Sequence, residues 1–237
     1  MARIVKEEEY TAKVNEILDA ATRLIYTKGY ERMTIQDFLD ALQISKGAFY
    51  HYFDSKAAVL EAFIERIRVE SETALLPIIH DPERSALEKL QGFFKAFDTI
   101  HLERKAEIAK LARIWYTDQN AIVRLKVEEA VIEQRGPLIN EIVRQGIEEG
   151  VFTTAHPDQV GRVIMSLVQS MGNIHAKLLL AVERAPDPQP IVDQVVAVHW
   201  AYVDAIERVL GAPPKSLYRA DAEAVQVWVS ALQQGGS

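Results

Sequence analysis

Residues 34–53 read TIQDFLDALQISKGAFYHYF. Thr34 with Asp37 three places on is a capping-box pattern, and Ile35, Phe38, Leu39 and Leu42 behind it form one apolar stripe, so a helix of about two turns begins here. Gln43-Ile44-Ser45 interrupts it. Ser45 is placed to cap the orphan amides of a third short helix, which opens Lys46-Gly47-Ala48-Phe49-Tyr50-His51. Two short helices joined by a tight turn form the helix-turn-helix plan.

Upstream, Val14, Ile17, Leu18, Ala21, Leu24 and Ile25 recur at helical spacing and Gly29 stands where a helix-ending glycine belongs, which predicts a first helix over about Glu8 to Lys28. Downstream, Asp54-Ser55 caps a longer helix from Lys56 that turns Val59, Phe63 and Ile67 inward. Beyond Pro77 the apolar pattern stays helical, and alternating strand runs are absent. Gly136-Pro137 is expected to kink or split the segment 120–150. A helix over 157–184 and another over 187–210 follow, then an amphipathic helix over 220–233. The chain therefore reads as all-α, with an N-terminal helix-turn-helix domain over 1–56 and a helical bundle over 57–237.

The helix ending at Leu210 is apolar on two faces: Ile191, Val195, Val198 and Tyr202 on one, Val192, Val196, His199 and Val203 beside it. A surface helix needs one such stripe. The second face predicts a homodimer through the helices over 157–184 and 187–210, built around a twofold axis.

The chain of 237 residues is 49% hydrophobic and 26% charged, which excludes a disordered or collagen-like protein. Without cysteine there is no disulfide, thiolate zinc site or cysteine nucleophile, which fits a cytoplasmic protein. The N-terminus lacks a leader-like apolar run, and no stretch has about 18 uninterrupted apolar residues, so no membrane association is expected. The net charge of −7 is uneven: residues 1–68 carry ten Lys and Arg against eleven Asp and Glu, and the remainder seventeen against twenty-three. The second part is therefore no polyanion-binding surface.

Ser45 leaves amides and the positive end of a helix dipole pointing outward, where a phosphate would sit. Gly47 and Ala48 are small enough for close approach of the backbone to a major groove. Lys46 can reach a guanine edge or a phosphate, and Tyr50, His51 and Lys56 suit phosphate oxygens. The N-terminal Arg3 and Lys6 could add contacts from an arm. Phe49 and Phe53 fit the core better than a contact surface.

The stretch from Gly29 to Leu60 resembles the TetR family of transcriptional regulators. The likeness is carried by Gly-Tyr-x-x-Met-Thr-Ile-x-Asp-Phe from Gly29, by Ile44-Ser45-Lys46-Gly47-Ala48-Phe49-Tyr50-His51-Tyr52-Phe53, and by Ser55-Lys56 and Leu60. It implies phosphate contacts from the residues matching Thr34, Tyr50 and Lys56, pairing through the last long helices, double-stranded operator DNA as partner, and a small-molecule effector held in the bundle. Two positions depart from the pattern. Gln43 replaces a usual glycine in a turn that asks for left-handed backbone, at a cost of about 1 kcal/mol, and Leu39 replaces a small residue where the two short helices meet.

Phe63, Phe94, Phe97, Trp115 and Met165, with His101 and Gln169 as polar partners, are the candidate lining of an apolar effector pocket. His175 and His199 lack the paired spacing of metal ligands, and no catalytic triad or phosphate-cradling loop is present, so neither a metal, a cofactor nor enzyme activity is expected. Two readings stand: a homodimeric repressor released from its operator by an apolar effector, and a helical ligand- or protein-binding module whose DNA-reading head is vestigial.

Overall fold

The computed structural model describes residues 2–102 and 111–234; side chains within 2–6 and 95–102 are among those left undescribed. It is all-α: α1 (Ala2–Thr27), α2 (Ile35–Leu42), α3 (Lys46–Tyr50), α4 (Lys56–Ile79), α5 (Ala86–Leu102), α6 (Ala121–Glu148), α7 (Val160–Ala181), α8 (Gln189–Leu210) and α9 (Ala222–Gln234). No strand occurs among the described residues. α1 begins six residues before the expected Glu8, so the stretch expected as an arm continues the helix.

The chain divides into two compact units, one formed by Met1–Val69 with Ile114–Val127, the other by Glu70–Arg113 with Glu128–Ser237. A single cut after residue 56 does not reproduce this division. The first unit's core takes the opening turns of α4, through the buried Val59, Leu60 and Phe63, and also Val123 of α6.

In the first unit Ile17, Ala21 and Ile25 of α1 pack with Phe38 of α2 and Phe49 of α3, all essentially free of solvent. The capping box at the start of α2 is complete, with the Thr34 hydroxyl accepting from the Asp37 amide and the Asp37 carboxylate accepting from the Thr34 amide. α2 ends at Gln43 in left-handed backbone, φ 52°, the strain expected where glycine is missing. The Gln43 side chain donates to the Asp40 carbonyl at 2.7 Å, which ties the turn down.

Asn120 holds the discontinuous piece in place. Fully buried, it accepts from the Tyr30 amide at 2.8 Å and donates to the carbonyls of Ile25 and Ile114 at 3.1 Å. Gly29 beside it has φ 81°, and a Cβ there would lie 2.5 Å from that of Gln119. Glycine is therefore required twice, by its backbone and by the space.

In the second unit Leu90, Phe93, Ile139, Ile142, Ile164, Met165 and Ile206 form the core. Of the kink or split expected at Gly136-Pro137 the split does not occur: α6 runs through the pair as one helix. The pair marks a close helix crossing instead. A Cβ on Gly161 of α7 would lie 2.0 Å from the Gly136 carbonyl oxygen, so the two backbones nearly touch. Asn140, one turn beyond, accepts from the Gly161 amide and donates to the Asp158 carbonyl, both at 2.7 Å, supplying the cap that Gln159 does not. After α6 the chain turns through Gly150, φ 74°, and Phe152 folds back over Gly146. α9 packs on its own subunit through Val225 and Val229 against Val182, Val192 and Val195.

Candidate functional site

α3 is too short to hold itself together and depends on its anchors. Phe49 is buried against Phe38, ring centroids 5.4 Å apart, while the Ser45 hydroxyl accepts from the Ala48 amide at 3.1 Å. With Phe49 turned inward, Lys46, Gly47, Tyr50 and His51 are exposed and Ala48 is half-buried. The Tyr50 ring stands edge-on to Phe49 and is 42% exposed, so its hydroxyl is presented on a rigid stem. The Lys46 ammonium lies 5.9 Å from the Tyr50 ring centroid. Together these groups offer an ammonium, a phenol and an imidazole around a small-residue backbone, the chemistry that positions a helix in a DNA groove.

Two expected contacts have other duties as well. The Lys56 ammonium donates to the Tyr30 and Met33 carbonyls, both at 3.0 Å, and lies 4.4 Å from the Tyr30 ring centroid. It thus closes the loop between α1 and α2 rather than standing free for phosphate. The exposed Thr34 hydroxyl is engaged with Asp37, whose carboxyl the neighbouring Lys28 holds below the usual carboxylate range. Sequence reasoning missed Tyr10. It sits 44% exposed on α1, with ring centroids 5.0 Å from Tyr52 and 6.2 Å from His51, so it braces the histidine. Its place one turn before Val14, extending the apolar stripe of α1, was the available signal.

The second unit contains an apolar cavity of about 100 Å³. Phe94 of α5, Val168 and Met171 of α7 and Val203 and Ile206 of α8 form its helical walls. His199 of α8, with Leu217 and Tyr218 from the segment after α8, completes it. Of the expected lining residues Phe94 is present. Phe63 and Trp115 belong instead to the first unit's packing, Trp115 against Tyr26, and Met165 is core of the second unit. Their bulk marked them as buried without marking which core they enter. Gln169 is half-buried on α7 and does not line the cavity, and the side chains of Phe97 and His101 lie outside the described residues.

His175 of α7 stacks on His199, ring centroids 5.8 Å apart and 15° from parallel. Burial, and then the neighbouring imidazole, push His175 down to about 4, although its hydrogen bond to the Val195 backbone opposes them. An unfolded chain would protonate it near the ordinary value of about 6.5. Its contribution to stability is thus complete above that pH and is lost as pH falls toward 4, a loss on the order of 2–3 kcal/mol. In urea unfolding followed from pH 7 to 4, His175→Gln is expected to remove that part of the acid sensitivity; parallel curves for variant and wild type would refute the assignment.

The sequence profile of bacterial regulatory proteins of the tetR family matches residues 17–63, from α1 into α4. An uncharacterized HTH-type transcriptional regulator of Lactococcus lactis subsp. lactis is 36% identical over 90 residues, covering 38% of this chain and 46% of that protein. The HTH-type transcriptional repressor KstR2 of Mycobacterium tuberculosis is 26% identical over 149 residues, covering 61% of this chain and 71% of that protein. The chain thus spans about half the length of the first of these relatives. Among solved structures, reduced E. coli NemR superposes with a TM-score of 0.51 at 18% identity, over 85% of this chain and 98% of that one. A TetR-family regulator from Pectobacterium atrosepticum gives 0.52 at 19% identity, over 84% and 96%. Those two structures share the all-helical fold over most of this chain, and residues 17–63, which hold the helix-turn-helix, match the tetR-family profile.

Proposed function

We propose that this chain is a cytoplasmic, homodimeric transcriptional repressor that reads a near-palindromic operator with α3 and is released when a small apolar molecule occupies the cavity of the second unit. The observation that carries the reading is α3 itself: capped by Ser45, anchored by Phe49, with Lys46, Gly47, Tyr50 and His51 facing outward. The dimer is supported by α7. It is apolar enough over its 22 residues to meet the length and composition of a membrane span, yet only 11% of its most apolar window is buried within one chain. Val163 on it is 46% exposed. A second copy covering α7 and α8 would remove that surface from water, and its twofold axis would pair two reading heads with two half-sites.

The test is selection of duplexes from a randomised pool by the purified protein at near-physiological salt. The wild type is expected to recover a paired half-site motif. Tyr50→Ala should weaken binding about tenfold on every duplex, the effect of one lost phosphate hydrogen bond. Lys46→Ala should cost 1–3 kcal/mol, by the order-of-magnitude range for a base contact, and relax preference at one position of each half-site. Motif-free binding, or a selection indifferent to both substitutions, would favour the vestigial head.

A further inference from the structure

We infer that residues 211–221 form a gate over the cavity of the second unit, and that the molecule admitted is compact and apolar, a single aromatic ring or a short branched chain. The inference rests on the effector reading above and specifies its ligand class and means of entry.

The cavity has two kinds of wall. Six of its residues stand on α5, α7 and α8, helices whose other faces are fixed in the core. The remaining side is a strap, the segment between Gly211 at the end of α8 and Ala222 at the start of α9, which contains no helix. Leu217 points inward at 4% exposure and acts as a plug, while Tyr218, 44% exposed, stands at the rim.

Beside the burial of Leu217 in the core, discrete polar bonds hold this strap. Glu207 of α8, a carboxylate left 4% exposed, accepts from the Lys215 and Leu217 amides at 3.0 Å and from the Arg219 guanidinium at 2.8 Å. Arg219 also pairs with Asp204. Trp200 donates from Nε1 to the Ala220 carbonyl at 2.8 Å, and Gln91 of α5 donates to the Ser216 carbonyl at 2.8 Å. Against these bonds works the backbone of Lys215, held at φ 63° in the left-handed region that a residue with a Cβ disfavours. The strap is thus pinned in a conformation it would not choose unaided, and the pins lie on one face of α8 and on α5.

Size supplies the second argument. An apolar cavity of about 150 Å³ holds benzene, so the roughly 100 Å³ present here, with Leu217 in place, is too small for a ring. Withdrawal of Leu217 adds the volume of its own side chain and opens the cavity beside Tyr218. A ligand that needs the open form binds with an affinity reduced by the fraction of molecules that are open. Weakening a pin therefore strengthens apparent binding.

The probe is fluorobenzene, followed by ¹⁹F NMR with the full-length protein, alongside amide exchange at Leu217. Glu207→Gln removes the charge that gathers the strap, and Trp200→Phe removes only the bond to Ala220. The expected result is faster Leu217 exchange in both variants, with apparent affinity for fluorobenzene raised about tenfold in Glu207→Gln and severalfold in Trp200→Phe. Trp200→Phe keeps an aromatic ring at a half-exposed site and decides the matter should Glu207→Gln not fold. Faster exchange with unchanged or weaker binding would overturn the gate, since the strap would then open without guarding the cavity. No binding by any of the three proteins at millimolar probe would overturn the ligand site as well. Neither outcome bears on operator reading, which the selected duplex reports by itself.

Discussion

Gly161→Ala is expected to destabilise the second unit by about 2–3 kcal/mol, at the upper end of the cost of overpacking. On an open helix surface the same change would stabilise by about 1 kcal/mol through helix propensity. Here the new methyl would lie 2.0 Å from the Gly136 carbonyl oxygen and 2.6 Å from Asn140 Oδ1. A Cβ has no rotamer with which to move aside, and the nearest atom is backbone, so α6 and α7 must separate. Separation also lengthens the Asn140 hydrogen bonds that cap α7. Gly172→Ala provides the matched control on the same helix, because a Cβ there meets nothing within 4 Å. Urea unfolding should show a lower midpoint for the first variant and an equal or higher one for the second. Equal behaviour of the two would refute the close crossing.

Asn120→Ala should cost the first unit about 3 kcal/mol or more. The amide of Asn120 serves three backbone groups, and truncation strands the Tyr30 amide and withdraws the donor from the Ile25 and Ile114 carbonyls. A buried donor or acceptor left unpaired costs roughly 1–3 kcal/mol, and water reaching the small cavity would recover only part of that. Asn120→Asp keeps the acceptor for Tyr30 but sets a buried carboxylate oxygen against the Ile25 and Ile114 carbonyls, so it should cost at least as much as alanine. Hydrogen exchange separates the effect by unit: amides of α1 to α3 should lose protection while those of α7 and α8 keep theirs. Equal loss across the chain would contradict the division into units.

The reading head was legible because its signals are local. Thr34 and Asp37 are three residues apart, Ser45 sits beside the helix it caps, and the spacing of Phe38, Phe49 and Phe53 announces a buried face without reference to the rest of the chain. Even the strained turn at Gln43 followed from a glycine missing where left-handed backbone was required. Groups acting over long separations were not legible in this way. The Lys56 ammonium reaches carbonyls 23 and 26 residues back, and a long flexible side chain carries no spacing rule that names its partners. Phe63 and Trp115 were recognisable as buried, yet hydrophobicity does not distinguish one core from another. Gly136-Pro137 suggested a break because local propensity favours one, whereas packing against Gly161 keeps the helix whole. The segment after Leu210 looked like a simple interruption. Its importance appears only when Glu207, Trp200 and Gln91 are seen to hold it.

The clasp between Tyr30 and Asn120 also sets an order of events during synthesis. A chain leaving the ribosome N-terminus first has made all of α1, α2 and α3 long before it makes the residues that complete their unit. The amide of Tyr30 waits for a partner 90 residues later, while the space beside Gly29 stays open to water. The nascent head is therefore an unfinished body, open to chaperones and proteases, until translation has passed residue 127. The proposed operator reading would thus arise late, when the next part of the chain is already being built.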